Sequence, residues 1–346
     1  MSSLRTLSGV PDGLMTARAA DLADLLGGPT LIHLPGRRSE PLFVSVLLHG
    51  NEEVGLRAVQ QLLEAHAAHE LPRALSIFIG NVLAAQRGVR RLDRQPDFNR
   101  IWPGSEVQET PEHGLVRGIV EDLRQRRPFA SVDLHNNTGR NPHYACLNSL
   151  AAPHLRLAAL FSRTIVHFQR PRGVQSMAFT PFCPAVTCEC GKVGDASGVS
   201  HAADFLRTCL HLAELPAGPP PPGDMHLFHT VATIKVSPHI KFSFSSSDTD
   251  LQFRDDLEEL NFQELEAGCI LGRRRIGAPA GVEIVDQEGR DVTAEFVETE
   301  GDSVALRKAT IPAMLTCQES IIRQDCLGYF MERYPALDVA RDIGMS

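Results

Sequence analysis

Apolar residues in the first two thirds of the chain alternate between continuous runs and helical spacings. Short continuous runs predict buried strands, and apolar positions three or four residues apart predict helices. The runs lie at residues 42–48, 76–79, 131–134 and 185–190, and the helical spacings lie at 52–66, 115–123 and 201–213. Strands that alternate with crossover helices predict an α/β fold, in which helices flank a mixed, mostly parallel sheet.

A proline-rich stretch separates this pattern from a different one. Residues 216–223 contain five prolines and two glycines, a composition that excludes helix or sheet interior and predicts a stiff linker. Beyond it, short β-rich segments lie at residues 231–236, 240–244, 282–285 and 304–306, and residues 245–260 predict a surface loop. We therefore predict an N-terminal domain of residues 1–215, a linker of residues 216–223 and a smaller β-rich C-terminal domain of residues 224–346.

Composition and charge narrow the function classes. The 346 residues are 43% hydrophobic and 22% charged, which is ordinary for a globular protein. With 34 basic and 42 acidic residues the net charge is −8, and no long basic block occurs. Binding to nucleic acid or to an anionic membrane is therefore not expected.

The cysteines and the N-terminus indicate the cellular compartment in which the protein is expected. Eight cysteines form no CxxC pair, and several lie in apolar runs, as reduced, buried thiols do. No segment reaches the roughly eighteen apolar residues that a membrane helix needs, and the N-terminus lacks the features of a signal peptide. We expect a cytoplasmic protein, and the sequence leaves its oligomeric state open, a homo-oligomer included.

Polar, ionisable side chains occur at the same end of several predicted strands. His49 and Glu52 follow the first strand, Asp133 and His135 end the third, and Glu189 lies in the fourth. In open α/β sheets, ligands bind beyond the carboxyl ends of the strands. Because burying such groups unpaired is costly, they require partners.

Two metal ligands close in sequence and a third from a distant strand form a common layout for catalytic zinc. A set of His49, Glu52 and His135 would leave one coordination position open for water. Asp133 lies on the same strand face as His135 and is a candidate acceptor for its ring. Taken singly, each residue also fits a structural role: an acidic first helical turn, a core histidine, or a salt-bridged Asp133.

Glu189 and an arginine-rich stretch are further candidates. Glu189 is a carboxylate in an otherwise apolar strand, either the partner of a buried arginine or a general base whose pKa burial raises. Residues 87–100 are dense in arginine, and an isolated basic run is usually a solvated surface. If this loop folds over a metal, Arg90, Asn99 and Arg100 could bind a carboxylate or stabilise an oxyanion.

Four ordered motifs in this chain resemble the succinylglutamate desuccinylase/aspartoacylase family, a branch of the zinc carboxypeptidase superfamily. The similarity covers about residues 40–195, and a fainter similarity continues at residues 261–268. The motifs are His49-Gly-Asn-Glu52, Gly88-Val-Arg90 with Asp97-Phe-Asn-Arg100, Asp133-Leu-His-Asn-Asn137, and a strand carrying Glu189 before Gly191.

The resemblance implies a zinc carboxypeptidase-like fold and one Zn²⁺ per chain. The implied zinc ligands are His49, Glu52 and His135. Glu189 would be the base that activates water and then passes its proton to the leaving amine. In relatives, the second domain partly covers the active-site channel and limits access to small substrates.

The resemblance also implies how the substrate is held. Arg90 would polarise the scissile carbonyl, and Asn99 and Arg100 would bind the α-carboxylate of the substrate. This alignment assumes an insertion around Pro96, so that Arg91 or Arg94 could take the place of Arg90.

Two further positions depart from the aspartoacylase pattern. Gln175 and Phe179 lie at the spacings where aspartoacylases carry a substrate-binding tyrosine and arginine, and Arg172 is the nearest substitute. The tyrosine that the family supplies from its second domain has no match. Hydrolysis is therefore implied, whereas specificity for aspartate derivatives is not.

These features predict a zinc-dependent hydrolase that cleaves the amide bond of a small N-acyl amino acid or a related carboxylate-bearing molecule. One alternative is a metallocarboxypeptidase or amidase that acts on a short peptide or cell-wall fragment. Another is a catalytically silent zinc-binding module. In a third, His49, Glu52 and His135 are unrelated structural residues.

Overall fold

The structure, a computed structural model, describes residues 4–334. The ends of the predicted domains, residues 1–3 and 335–346, lie outside this range. The chain forms two compact units, the larger of residues up to Asn136 and His143–Leu227, the smaller of Asn137–Pro142 and Phe228–Tyr334. The division into functional domains at residues 215 and 224 remains a prediction.

Eight strands and seven helices lie in the part of the larger unit that the structure describes. The strands are β1 (Arg5–Leu7), β2 (Thr30–Leu34), β3 (Leu42–Val46), β4 (Leu75–Ile79), β5 (Ala130–Asn137), β6 (Tyr144–Leu147), β7 (Thr164–His167) and β8 (Ala185–Lys192). The helices are α1 (Leu22–Leu26), α2 (Val54–Ala65), α3 (Val82–Gln86), α4 (Pro111–Arg126), α5 (Ala152–Phe161), α6 (Gln175–Phe179) and α7 (Ala196–His211), and short 3₁₀ turns lie at Ala19–Asp21 and Pro222–Asp224.

The strands of the larger unit form a mixed, mostly parallel sheet in the order β1-β2-β4-β3-β5-β8-β6-β7. Strand β3 pairs in parallel with β4 and β5, whereas β2 and β6 run antiparallel to β4 and β8. All five residues of β3 are buried, as expected of a central strand covered on both faces. The predicted fold class is confirmed for this unit.

The smaller unit is rich in β-structure, as predicted. Its strands are β9 (His226–Val236, the first two residues belonging to the larger unit), β10 (Phe242–Ser243), β11 (Leu251–Phe253), β12 (Ile270–Arg274), β13 (Val282–Asp286), β14 (Val297–Glu300), β15 (Ser303–Leu306), β16 (Ile311–Ala313) and β17 (Gly328–Arg333). Helices α8 (Thr293–Phe296) and α9 (Glu319–Gln324) and a 3₁₀ turn at Leu257–Leu260 complete it. Five strands form one sheet in the order β10-β11-β12-β15-β14, and β9 pairs with β13 and β17.

The prediction of a surface loop over residues 245–260 is wrong in part. Strand β11 and a 3₁₀ turn lie within it, and Leu251, Phe253 and Leu257 are buried in the core of the smaller unit. The apolar residues of this segment are few, but two of them alternate at period two, which places both on one face of a short strand.

Several strand boundaries differ from the prediction, and those of β3 and β5 affect the site. Strand β3 ends at Val46, because Leu47 takes a positive φ of 54° that no strand residue adopts. Strand β5 continues to Asn137, so His135 lies inside the strand rather than at its end. None of the helices in residues 4–334 combines the length and apolar character needed to cross a membrane.

Candidate metal centre

His49, Glu52 and His135 come together at the carboxyl end of the central strands. One ligand atom from each side chain lies within 4.8 Å of the others, so the group could hold a metal ion. All three residues are buried, with no more than 4% of their surface exposed. His49 and Glu52 lie in the turn between β3 and α2, and His135 lies on β5, which pairs directly with β3. The adjacency of the two strands therefore brings the distant ligand to the turn.

The turn that carries His49 and Glu52 depends on glycine at position 50. A Cβ on Gly50 would lie 2.2 Å from the backbone nitrogen of Ala85, so any other residue would displace the turn from α3. The Gly50 N–H donates to the carbonyl of Arg90 at 3.0 Å. The turn is thus joined both to α3 and to the arginine-rich loop.

Each histidine directs Nδ1 to Glu52 and Nε2 to a second carboxylate. His49 contacts Glu52 Oε1 at 2.9 Å and Asp97 Oδ1 at 3.0 Å. His135 contacts Glu52 Oε2 at 2.7 Å and Asp133 Oδ2 at 2.8 Å. Metal-binding histidines commonly donate their other ring nitrogen to a carboxylate, which sets the ring orientation. This arrangement leaves Nδ1 of both rings as the metal-facing nitrogen.

The charges of the cluster suit a cation. Burial alone would lower the pKa of His135, but the Asp133 and Glu52 carboxylates outweigh it and hold that pKa well above its usual value. Burial also opposes the charged form of His49, yet Glu52 and Asp97 raise its pKa. The raised pKa values favour positive charge on both rings beside the buried carboxylates, which is the charge that a divalent cation would supply there. The donor set fits a metal ion.

Glu189 is a buried carboxylate with an unoccupied oxygen. It lies on β8, which neighbours β5 in the sheet, and its Oε2 has no hydrogen-bond partner among the described residues. Burial raises the pKa of Glu189 to about 7, with an opposing effect of His135 and a reinforcing effect of Glu52. No arginine among residues 4–334 pairs with it. Of the two interpretations of Glu189, these observations favour the general base over the partner of an arginine.

One arginine of the arginine-rich loop reaches the cluster. Arg90 is buried and donates from Nε and Nη2 to Asp97 Oδ2 at 3.2 and 2.9 Å. Its Nη1 lies 3.8 Å from Glu52 Oε1. Arg91 instead donates to a backbone carbonyl of the same loop, and Arg94 is exposed. The structure therefore places Arg90, and neither Arg91 nor Arg94, beside Glu52 and Asp97 of the cluster.

Asn99 lies against the cluster and Arg100 lies beside Asn99. The Asn99 Oδ1 accepts from the backbone N–H of Gln175 at 2.9 Å, and its Nδ2 lies 3.2 Å from His135 Nε2. Arg100 is half-buried and donates to the carbonyl of Asn99 at 2.8 Å. A Cβ on Gly173 would lie 2.4 Å from the Arg100 carbonyl oxygen, so this loop also needs a glycine, whose φ is +76°. These contacts orient the amide of Asn99.

The three residues considered in place of the aspartoacylase tyrosine and arginine make other contacts. Phe179 is fully buried and stacks on Phe43 with ring centroids 4.7 Å apart, inside the aromatic core of the larger unit. Arg172 pairs with Glu106 at 3.4 Å on the surface. Gln175 acts through its backbone on Asn99. None of the three therefore replaces the family's tyrosine–arginine pair.

Asp97 is the residue of the site to which the sequence assigned no role. Its two carboxylate oxygens bridge His49 and Arg90, and nearby Arg90 and His49 hold the pKa of Asp97 well below its usual value despite burial. The sequence signal was its position two residues before Asn99 in the Asp-Phe-Asn-Arg motif. A motif shows that the position matters but does not show which side chains it contacts.

Comparison with known proteins finds a matching family model. The model of the succinylglutamate desuccinylase/aspartoacylase catalytic domain matches residues 40–215, slightly more than half of the chain. Succinylglutamate desuccinylases of Yersinia pestis (strain Pestoides F) and Yersinia pseudotuberculosis serotype O:1b are 28% identical over 143 residues, which is 40% of this chain. That match spans 42% of the length of these relatives.

Solved structures extend the likeness over most of the chain. A succinylglutamate desuccinylase of Chromobacterium violaceum has a TM-score of 0.56 at 18% identity, with 87% of each chain covered. A succinylglutamate desuccinylase/aspartoacylase of Rhodobacter sphaeroides has a TM-score of 0.57 at 15% identity, with 88% of each chain covered. Murine aminoacylase 3 has a TM-score of 0.56 at 16% identity, covering 86% of this chain and 96% of its own. At such identities the likeness is one of fold.

Proposed function

Because the chain belongs to the succinylglutamate desuccinylase/aspartoacylase family, we propose that it is a zinc-dependent amidohydrolase. Its substrate in this proposal is a small N-acyl amino acid or a related molecule that bears a carboxylate. Water cleaves the amide bond, and the products are a free carboxylic acid and a free amine. One Zn²⁺ binds per chain.

The observation that carries the proposal is the pairing of His49 and His135 around Glu52. Both rings present Nδ1 to the same buried carboxylate and hold a second carboxylate on Nε2. Two imidazoles and one carboxylate are the ligand set of many catalytic zinc sites, which keep a further position for water or substrate. A purely structural cluster has no need of two opposed carboxylates on each ring.

Zinc bound to His49, Glu52 and His135 would supply a positive charge that polarises the scissile carbonyl and makes a water molecule more acidic. The chain itself supplies the proton transfers. Glu189 accepts a proton from the attacking water at its unpartnered Oε2 and then donates it to the nitrogen of the leaving amine. Its raised pKa suits both steps, because the group can exchange a proton near neutral pH.

Arg90, Asn99 and Arg100 bind and orient the substrate in this proposal. Arg90 lies beside Glu52, where a guanidinium stabilises the oxyanion that develops as water attacks the carbonyl. The side-chain N–H groups of Asn99 and the guanidinium of Arg100 suit the α-carboxylate. Asp97 holds Arg90 and His49 together, so the arginine keeps its place relative to the metal ligand.

The cellular setting belongs to the proposal as well. We place this enzyme in the cytoplasm, with a small molecule rather than a nucleic acid or a membrane as its partner, and a homo-oligomer remains compatible with it. Residues 1–215 would form the catalytic domain, and residues 224–346, after the linker of residues 216–223, would restrict the channel to small substrates.

A panel of N-acyl amino acids tests the proposed activity. Succinyl, acetyl and formyl derivatives of acidic, basic and apolar amino acids would be incubated with the zinc-loaded protein, and released primary amine would be measured. N-succinylglutamate belongs in the panel because the curated relatives are succinylglutamate desuccinylases. Release of amine from at least one member is expected. Zinc binding without release from any member would instead favour the catalytically silent module.

Alanine substitutions of Arg90 and Arg100 are expected to have different kinetic effects. Loss of Arg90 removes charge stabilisation that exists only in the transition state, so kcat falls by about a hundredfold with a smaller effect on KM. Loss of Arg100 weakens binding of the ground-state carboxylate, so KM rises most. Steady-state kinetics on a verified substrate measure both effects.

Arg94 provides the matched control for these variants, and Arg91 is an intermediate case. Arg94 is exposed in the same loop, so Arg94→Ala should retain kcat within about twofold of the wild type. Arg91→Ala removes a hydrogen bond to the Gln95 carbonyl of the loop and should lower kcat less than Arg90→Ala does. If Arg91→Ala or Arg94→Ala lost kcat and Arg90→Ala did not, the assignment of the oxyanion-stabilising arginine would be wrong.

A further inference from the structure

The loop that carries Arg90 is held by a reciprocal pair of side-chain amides. Asn81 Nδ2 donates to Gln95 Oε1 at 3.0 Å, and Gln95 Nε2 donates to Asn81 Oδ1 at 2.9 Å. Asn81 is buried at the carboxyl end of β4, and Gln95 is half-buried. Gln95 directly precedes Pro96, in the stretch where the family resemblance assumes an insertion. The pair joins the end of β4 to the loop that carries Arg90.

Gln95 also ties the loop to itself. Its Oε1 accepts a second hydrogen bond from the backbone N–H of Leu92 at 3.0 Å, and its backbone carbonyl accepts from Arg91 Nη1 at 3.0 Å. Arg90 precedes these contacts and Asp97 follows them. Gln95 therefore forms hydrogen bonds within the segment that joins Arg90 to its ion-pair partner Asp97.

Asn81 is hydrogen-bonded to the segment between β3 and His49. Its backbone N–H donates to the carbonyl of Leu47 at 2.6 Å, two residues before His49, and its Oδ1 also caps α3 at the N–H of Ala84. A continuous set of hydrogen bonds therefore runs from the β3 end through Asn81 and Gln95 to the arginine loop. From the loop, Arg90 donates to Asp97, and Asp97 contacts His49 of the candidate metal site.

We infer that Gln95, paired with Asn81, is a positioning residue that holds Arg90 at the reacting centre. This inference rests on the proposed function, in which Arg90 stabilises the developing oxyanion. The amide pair makes no hydrogen bond to His49, Glu52 or His135 among the described residues. It restricts the loop so that the guanidinium meets the carbonyl at the distance that catalysis needs, and a small displacement of such a group lowers the rate steeply.

Replacing Gln95 with alanine tests the inference. We expect kcat to fall by about tenfold because Arg90 is displaced, while KM stays within about twofold and zinc content matches that of the wild type. Gln86→Ala is the matched control, since Gln86 is an exposed glutamine of neighbouring α3 whose side chain hydrogen-bonds only to Asp24 among the described residues. That control should keep wild-type kcat.

An exchange of the two amides separates positioning from a general loss of packing. Asn81→Gln and Gln95→Asn each change the span of the pair by one methylene and should each lower kcat. The double variant Asn81→Gln/Gln95→Asn restores the combined length and both donor–acceptor contacts, so its kcat should exceed that of the poorer single variant. Strictly additive losses in the double variant would overturn the inference.

Three negative results can be told apart. If the wild type and Gln86→Ala hydrolyse members of the panel and Gln95→Ala matches them in kcat, the positioning role is wrong and the proposed function stands. If Gln95→Ala loses zinc together with kcat, Gln95 supports the metal site instead of Arg90, and the inference also fails. If the wild type releases amine from no member, the proposed function fails and the inference falls with it.

Discussion

Replacing Glu189 with glutamine should lower kcat by about 10²–10⁴-fold and leave zinc content unchanged. The amide has nearly the same shape as the carboxylate, but it cannot accept the proton of the attacking water. Glu189 is not one of the three clustered candidate ligands, so the variant keeps all three of them. Steady-state kinetics and metal analysis of the same preparation measure both quantities. Glu64→Gln, an exposed carboxylate on α2, is the matched control.

The pH profile of the wild type checks the same assignment. A general base works only when it is deprotonated, so activity should rise with pH as Glu189 loses its proton. Burial raises the pKa of Glu189 to about 7 in the metal-free chain, and a bound cation lowers it from there. The acid limb should therefore lie at or below about pH 7, and it should disappear in the residual activity of Glu189→Gln. Near-normal kcat in that variant would move the role to another group, with Asp133 the first to test.

Removal of the metal by a chelator should abolish turnover, and addition of Zn²⁺ should restore it at one ion per chain. Without a cation, the raised pKa values of the two histidines favour protons that offset the neighbouring carboxylates, and the scissile carbonyl loses the polarisation that the cation would add to that of Arg90. Metal analysis before and after dialysis, with activity measured at each step, follows both changes.

His135→Gln should lower zinc content and turnover as the chelator does, and added Zn²⁺ should not restore them. The substitution removes one of the three candidate ligands and leaves two. His211→Gln is the matched control, because His211 is exposed at the end of α7 and belongs to no metal cluster among the described residues. Less than about half a zinc per chain in the wild type, with no gain on reconstitution, would contradict the metal-dependent mechanism.

The fold class follows from local pattern alone. Continuous apolar runs such as residues 42–48 are long enough for a strand and too short for a helix. The apolar residues in 52–66 lie three or four positions apart, which places them on one face of a helix, and α2 forms there. The weakest prediction, the surface loop at residues 245–260, failed because a three-residue strand carries little local signal. Leu251 and Phe253 are buried by neighbours that are distant in the sequence.

Some features of the site can be found from the sequence, and others only from the structure. The residue types at positions 49, 52, 135 and 189 are chemically unusual in their apolar surroundings, so sequence inspection finds them. The contacts of Asp97 and of Gln95 depend on how the loop after α3 folds back over β3 and β4. That path is set by side-chain hydrogen bonds between residues up to 48 positions apart, which no local pattern encodes.

The sequence by itself determined the elements, the candidate ligands and the family resemblance, because each of these depends on residue type and short-range spacing. The tertiary structure alone decided which arginine faces the cluster, which oxygens orient the two histidines, and that Phe179 fills the core instead of binding a ligand. Strand order is the physical reason. The parallel pairing of β3 with β5 brings residues 49 and 135 together, and the register of that pairing is a property of the whole sheet.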